Sequence, residues 1–368
     1  MAVSPGGADA LVVSLNFTPG HFSHLIASYR LLAECGYVPH LYLHPRFNEM
    51  DDKNLYRKFN APAELSRLGR VGPAVFWFPS LKNIVEMLRL RLFHDATLIY
   101  VLHEPFDSFA NYRRAGFGLL KTYKIALISA VNVLTVRLAH EIILPSSVSF
   151  ELYRRKYQWV NSHSHLIPLL FDDEAGSADD GVGDKDCVSY IGTVAADHAF
   201  DLFVDFVEAA VTRGLLPGIT FAVATRSELP IRERDKLQRL QDSGRVIVQS
   251  GRPLSTDEIN VYYRRSLAVW NAYHRSNQSG VLPKAFMFGA AVISSARISN
   301  EFVDDHVTGV LISDNSSVSE IAAAVAEIRT NQKDFATACR AKFLGTFHYR
   351  SKIAEFVSVI DRAKPASV

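Results

Sequence analysis

Short apolar runs alternate with amphipathic stretches along this chain, and the alternation predicts strands and helices in turn. LVVSLNF (11–17) reads as a first strand. TPGHFSH follows as a turn, and a helix then runs through Leu25, Tyr29, Leu32 and Ala33 to a stop at Gly36. PHLYLHP (39–45), VFWFP (75–79) and TLIYVLHEP (97–105) are the next strands, with a helix carrying Ile84, Met87, Leu88 and Leu92 between the last two. Pro105 prevents the third of these from continuing. HEIILPSS (140–147) predicts a strand leading into a helix with Phe150, Leu152 and Tyr153.

The same rhythm resumes later. CVSYIGTVAADHAFDLFVDFVEAA (187–210) reads as a strand, a loop opened by Gly192, and a helix with Phe200, Phe203, Val204 and Phe206 on one face. ITFAVAT (219–225), VIVQ (246–249), LAVWNAY (267–273) and AAVISS (290–295) are further strands. Ser255 with Glu258 three residues on is a capping-box helix start. SNQSG (276–280) is a small-residue loop into a helix of about nine residues ending at Gly289. The start of that helix, at Ser279-Gly280, should leave backbone N–H groups to hold an anion. EFVDD (301–305), VTGVLIS (307–313) and a helix over 317–328 follow. Residues 335–363 read as helical apart from GTFHY (345–349).

Strand, loop, helix, strand is the βαβ unit, so the expected fold class is α/β with parallel sheets. HLIPLLFDDEAGSADDGVGDKD (165–186) passes from an apolar strand into an acidic, small-residue tract, the composition of a linker. The expected organisation is a first Rossmann-like domain over 1–170, a linker over 171–186, a second Rossmann-like domain over 187–345, and a C-terminal helix over 346–368. With 368 residues, 48% of them hydrophobic, the chain is long enough for two cores.

Net charge is only +2, but it is unevenly spread: residues 1–170 hold 18 Lys and Arg against 12 Asp and Glu. A basic first half fits an anionic lipid surface or an anionic acceptor, or an ordinary solvated face. Nothing points to nucleic acid. The three cysteines, Cys35, Cys187 and Cys339, lack metal-ligand spacing, so reduced thiols in the cytoplasm are expected and no metal is indicated. The acidic tract likewise lacks the spacing of a calcium loop. No positive segment precedes the first apolar run, so Leu11–Leu15 reads as a strand rather than a secretion signal. IALISAVNVLTVRLA (125–139) is short of the roughly 18–20 residues that cross a bilayer. It is expected to pack in the core of its domain, the alternative being a helix at a membrane surface with Arg113, Arg114, Lys121 and Lys124 toward the headgroups.

Candidate chemistry sits where strands end, because open α/β sheets bind ligands at their carboxyl edges. His103 and Glu104 close one such strand. An imidazole there can act as a base or bind a hydroxyl, and the neighbouring carboxylate can accept a proton. Asp107 is the next candidate. The loop after the first strand lacks G-x-G-x-x-G and gives no sign of a dinucleotide.

Three passages resemble the second domain of GT-B glycosyltransferases, in particular the large retaining Glu-x7-Glu family. They are SGRPLSTDEINVYYRRSLAVWNAY, AFMFGAAVISS and NEFVDDHVTGVLI. The resemblance implies a GT-B fold, two Rossmann-like domains facing across a cleft, with the terminal helix crossing back to the first domain. It implies a hexosyltransferase that takes sugar from a nucleotide sugar, UDP- or GDP-linked, to a glycan or lipid-linked saccharide in polysaccharide or glycoconjugate synthesis. The setting would be cytoplasmic, at the inner face of the membrane, and no cofactor is implied. Gly20, His21 and His24 then become cleft residues. Thr193 and His198 fall where the family has two cations that hold the donor phosphates. Arg226, Arg252, Arg275 and Lys284 become donor-side cations, together with Ser279 and Gly280. Where the family has its two glutamates this chain aligns Ser276 and Lys284, so neither carboxylate carries over. If configuration is retained a donor phosphate oxygen can take the acceptor proton; if it is inverted, Glu104 or Asp107 must be the base. A nucleotide-sugar epimerase, or a catalytically silent scaffold that binds nucleotide or glycan, are the competing readings.

Overall fold

The computed structural model describes residues 7–50, 55–65, 68, 71–176, 185–195, 197–274, 279–296, 301–313 and 315–363. The chain divides into two compact units. One holds Met1–Arg113, Gly118–Asp172 and Thr346–Val368; the other holds Arg114–Phe117 and Asp173–Gly345.

In the first unit the elements run β1 (Asp9–Ser14), α1 (Phe22–Glu34), β2 (Val38–Leu43), β3 (Lys58–Phe59), α2 (Pro62–Leu65), β4 (Val71–Trp77), α3 (Leu81–Phe93) and β5 (Thr97–Val101). Then come α4 (Phe109–Arg114), α5 (Leu119–Leu138), β6 (Glu141–Leu144), α6 (Ser147–Lys156) and β7 (Ser164–Leu166). The seven strands form one parallel sheet in the order β3-β2-β1-β4-β5-β6-β7. Chain order reverses between β1 and β4, and that reversal is where a doubly wound sheet opens a crevice at its carboxyl edge. The core is built from inward side chains of the central strands, among them Leu11, Val13, Phe76, Leu98, Tyr100 and Ile142, closed by Met87 and Leu90 of α3. Ser80 and Ser146 cap α3 and α6 by accepting the backbone N–H three residues on.

The second unit contains β8 (Cys187–Ile191), α7 (Phe200–Thr212), β9 (Thr220–Ala224), α8 (Ile231–Gln241), β10 (Val246–Gln249), α9 (Thr256–Arg265) and β11 (Ser266–Asn271). It continues with α10 (Val281–Met287), β12 (Ala291–Ser295), β13 (Gly309–Ile312), α11 (Val318–Thr330) and α12 (Gln332–Lys342). Its six strands are also parallel, in the order β10-β9-β8-β11-β12-β13, with the reversal between β8 and β11. Phe203 of α7 packs on Trp270 of β11, and Phe206 meets Phe221 of β9 edge to face. The capping box at Ser255 and Glu258 is formed, and a second one starts α11 at Ser317 and Glu320. After α12 the chain returns to the first unit and ends in α13 (Ile353–Ala363).

Three local expectations are corrected. The apolar strand read from His165 onward stops at Leu166, because Pro168 has no N–H to give a ladder; Phe171 then makes an isolated bridge to His348. The helix at Val281 has seven residues rather than nine, since the chain turns into Gly289, which sits at φ +60°. The apolar run at 125–139 belongs to α5, a helix of 20 residues, which meets the length criterion that the run alone does not. Nor is α5 a core helix, as only 22% of its apolar window is buried.

Candidate functional site

At the carboxyl edge of the first sheet the loops after β1, β4 and β5 converge. Gly20 and His21 lie in a single 3-10 turn, Pro19–His21, closed by the His21 N–H donating to the Thr18 carbonyl at 3.0 Å. The His21 ring meets Phe78 at 4.3 Å and His103 at 5.3 Å, both edge to face. Phe78 holds a left-handed backbone, φ +65°, which a bulky residue adopts only under constraint. The constraint is Asn83, whose Nδ2 donates to the carbonyls of Trp77 at 2.9 Å and Phe78 at 2.7 Å. Sequence reasoning missed Phe78 and Asn83, since positive φ leaves no mark at a phenylalanine.

His103 follows β5 by two residues. Burial holds its imidazole below the ordinary pKa, with the Glu104 carboxylate pulling the other way. The ring is therefore neutral at neutral pH, able to accept at one nitrogen and donate at the other. Glu104 is exposed and accepts from the Tyr112 hydroxyl at 3.3 Å. Asp107 accepts from Asn111 Nδ2 at 2.8 Å at the start of α4. His24, expected as a cleft residue, is a packing residue instead. It is buried, stacked on Trp77 and edge-on to Phe171, with Nδ1 bonded to the Leu170 carbonyl at 3.0 Å.

At the carboxyl edge of the second sheet Gly192 takes φ +120°, open to glycine alone at no strain, and its N–H donates to the Ala224 carbonyl. Thr193 follows, its carbonyl accepting from the Tyr190 hydroxyl at 2.8 Å and facing His198 Nδ1. The Val194 N–H donates to Ser227 Oγ at 3.1 Å, which ties this loop to the one after β9 and puts exposed Arg226 beside it. Across the reversal, Tyr273 meets His198 edge to face at 4.8 Å and shares a 2.7 Å hydrogen bond with Ser279. Burial pushes the Tyr273 phenol up to about 12, so it stays a neutral donor. Tyr273 had no place in the sequence-based site; its role depends on β11 lying next to β8.

Three expected donor-side groups are otherwise engaged. Ser279 Oγ takes the Val281 N–H at 3.1 Å, so the short helix α10 is partly capped after Gly280 rather than left open. Lys284 Nζ lies 2.7 Å from Glu174 Oε2 and 3.2 Å from Asn260 Oδ1, a largely buried pairing. Arg252 grips Glu258 with two bonds, at 2.6 and 3.2 Å, inside the capping box. Arg275 and Ser276 lie outside the described residues.

Two parallel sheets, each reversed at its centre, define a GT-B-type α/β fold, and solved structures of that kind cover the chain end to end. Anabaena HepE, solved with UDP and glucose, has a TM-score of 0.64 at 14% identity, covering 96% of this chain and 99% of its own. The sucrose-phosphate synthase of Thermosynechococcus elongatus has a TM-score of 0.68 at 14% identity, covering 96% and 98%. A Rickettsia africae glycosyltransferase has a TM-score of 0.68 at 10% identity, covering 98% and 100%. By sequence, residues 185–331 match the family described as Glycosyl transferases group 1. No curated protein matches.

Proposed function

We propose that this chain is a glycosyltransferase that moves a hexosyl group from a nucleoside-diphosphate sugar to a glycan or lipid-linked saccharide. The observation that carries the reading is the coincidence of the family match, residues 185–331, with the loop edge formed by Gly192–Thr193, Arg226, Tyr273 and Ser279. Transfer of a sugar needs the departing diphosphate to be stabilised as the sugar–oxygen bond breaks. In this reading Gly192 lets backbone approach the phosphates, Thr193 and Tyr273 supply hydroxyl donors, and the Arg226 guanidinium supplies positive charge. The first unit handles the acceptor, whose hydroxyl is oriented by neutral His103, with His21 and Glu104 beside it. UDP is the first donor base to try, since HepE was solved with it.

A thermal-shift panel of UDP, GDP, ADP and CMP tests this. A ligand at a hundred times its Kd adds about 2.7 kcal/mol of stability, a shift of several degrees. A response to UDP or GDP alone is expected; no response to any of the four overturns the reading. A second reading, a scaffold that binds nucleotide without transfer, is favoured by the engagement of Lys284 with Glu174. Nucleotide binding with no release of UDP from UDP-sugars would select it.

A further inference from the structure

The helix α5 is turned inside out. Its polar residues Thr122, Asn132 and Thr135 are buried. The two threonine hydroxyls donate to carbonyls of the preceding turn, Gly118 and Val131, each at 3.0 Å, and Asn132 accepts from the buried Tyr100 hydroxyl at 2.7 Å. Outward instead point Leu120, Tyr123, Leu127 and Leu134, exposed by 88, 65, 71 and 51%. Spacings of three, four and seven put these four on one stripe of the helix. Leu81, Val85, Leu88 and Leu92 of the adjacent helix α3 make a second exposed stripe at the same kind of spacing.

Around these stripes the charge has one sign. α3 carries Lys82, Arg89 and Arg91, and α5 carries Lys121, Lys124 and Arg137. The one carboxylate on either helix is Glu86, and it is buried. An apolar stripe flanked by cations, with no exposed acid on either helix and Asp95 just past the end of α3, complements a bilayer bearing anionic phospholipid. A second copy of the same face would set cation against cation. Nor does the helix need to cross the bilayer, since the bond from Tyr100 to Asn132 and the burial of Thr122, Thr135 and Val136 keep its inner face on the first unit.

We propose that the α3–α5 face docks this protein on an anionic lipid surface, α5 lying in the interface with its leucines among the acyl chains. This stands independently of the sugar-transfer reading. The test is co-sedimentation of the full chain with phosphatidylcholine vesicles, with and without phosphatidylglycerol. Binding is expected with phosphatidylglycerol and at least tenfold less without it, weakening in high salt. The variant Leu120→Ser/Leu127→Ser should stay in the supernatant with its melting temperature unchanged, because both side chains are already in water. Leu120→Trp gives a second readout, a blue-shifted emission when anionic vesicles are added. Wild-type protein that ignores both vesicles, a serine variant that binds as well as wild type, or a tryptophan that stays in water overturns the proposal. So does light scattering that shows a dimer which the serine variant dissolves while vesicles bind neither protein.

Discussion

The imidazoles of His21 and His103 stand edge to face with their centroids 5.3 Å apart. β1 and β5 deliver them from either side of β4, and the left-handed turn at Phe78 fills the space between the loops. Replacing His103 by Gln keeps a hydrogen-bonding group but removes the imidazole that orients the acceptor hydroxyl. Turnover should fall by roughly a hundredfold while UDP affinity is kept. Because burial lowers the His103 pKa, the wild-type rate should hold down to pH 6.5 and decline only as the ring is protonated at lower pH. A steady-state pH profile measures both. A variant with wild-type turnover would move the acceptor-side role to His21 or Asp107.

Arg226 is exposed beside the Gly192–Val194 loop, and Arg226→Ala should weaken nucleotide diphosphate binding roughly ten- to a hundredfold, the 1.5–3 kcal/mol of a charge-assisted hydrogen bond. Its melting temperature without ligand should not change. Gly192→Ala should reduce both, since φ +120° strains any L side chain. Calorimetry with UDP and a melting curve distinguish the two effects.

The pair Lys284–Glu174 is an ion pair inside the second unit, and removing the lysine takes the countercharge from Glu174, to which Asn260 Nδ2 still donates at 2.9 Å. Lys284→Met should cost about 3 kcal/mol, read as a drop of several degrees in melting temperature. Lys284→Met/Glu174→Gln should recover much of it, since both charges then leave together. If the double variant is no better than the single, Lys284 acts elsewhere.

Acid should loosen the first unit through His140. The Leu98 N–H donates to His140 Nδ1 at 2.8 Å, a bond that needs this nitrogen unprotonated, and burial lowers the pKa below 6.5. Below that value the unfolded chain takes up the proton before the folded one does, so stability is present above pH 6.5 and drains as pH falls toward the folded pKa. His140→Asn keeps an acceptor that cannot titrate. Its melting temperature should fall less than that of wild type between about pH 7 and 5.5, and parallel curves would dismiss His140 as the source.

The strands and most helices were legible in the sequence because burial on a sheet or helix face imposes its own period on apolar residues. VIVQ, AAVISS and the capping box at Ser255 and Glu258 stand where the pattern put them. So did the placement of His103 after a strand, which requires only that β5 end before Pro105. What tertiary structure alone decided is which of these ends meet. His21 reaches His103, and Tyr273 reaches Ser279 beside His198, only once the strand orders are known. Lys284 illustrates the reason. Its charge could be read, but its partner Glu174 lies 110 residues away, and no local period records a contact at that distance. The same holds for α5: hydropathy showed an apolar helix, while the hydrogen bond from Tyr100 to Asn132 decided which side of it faces inward.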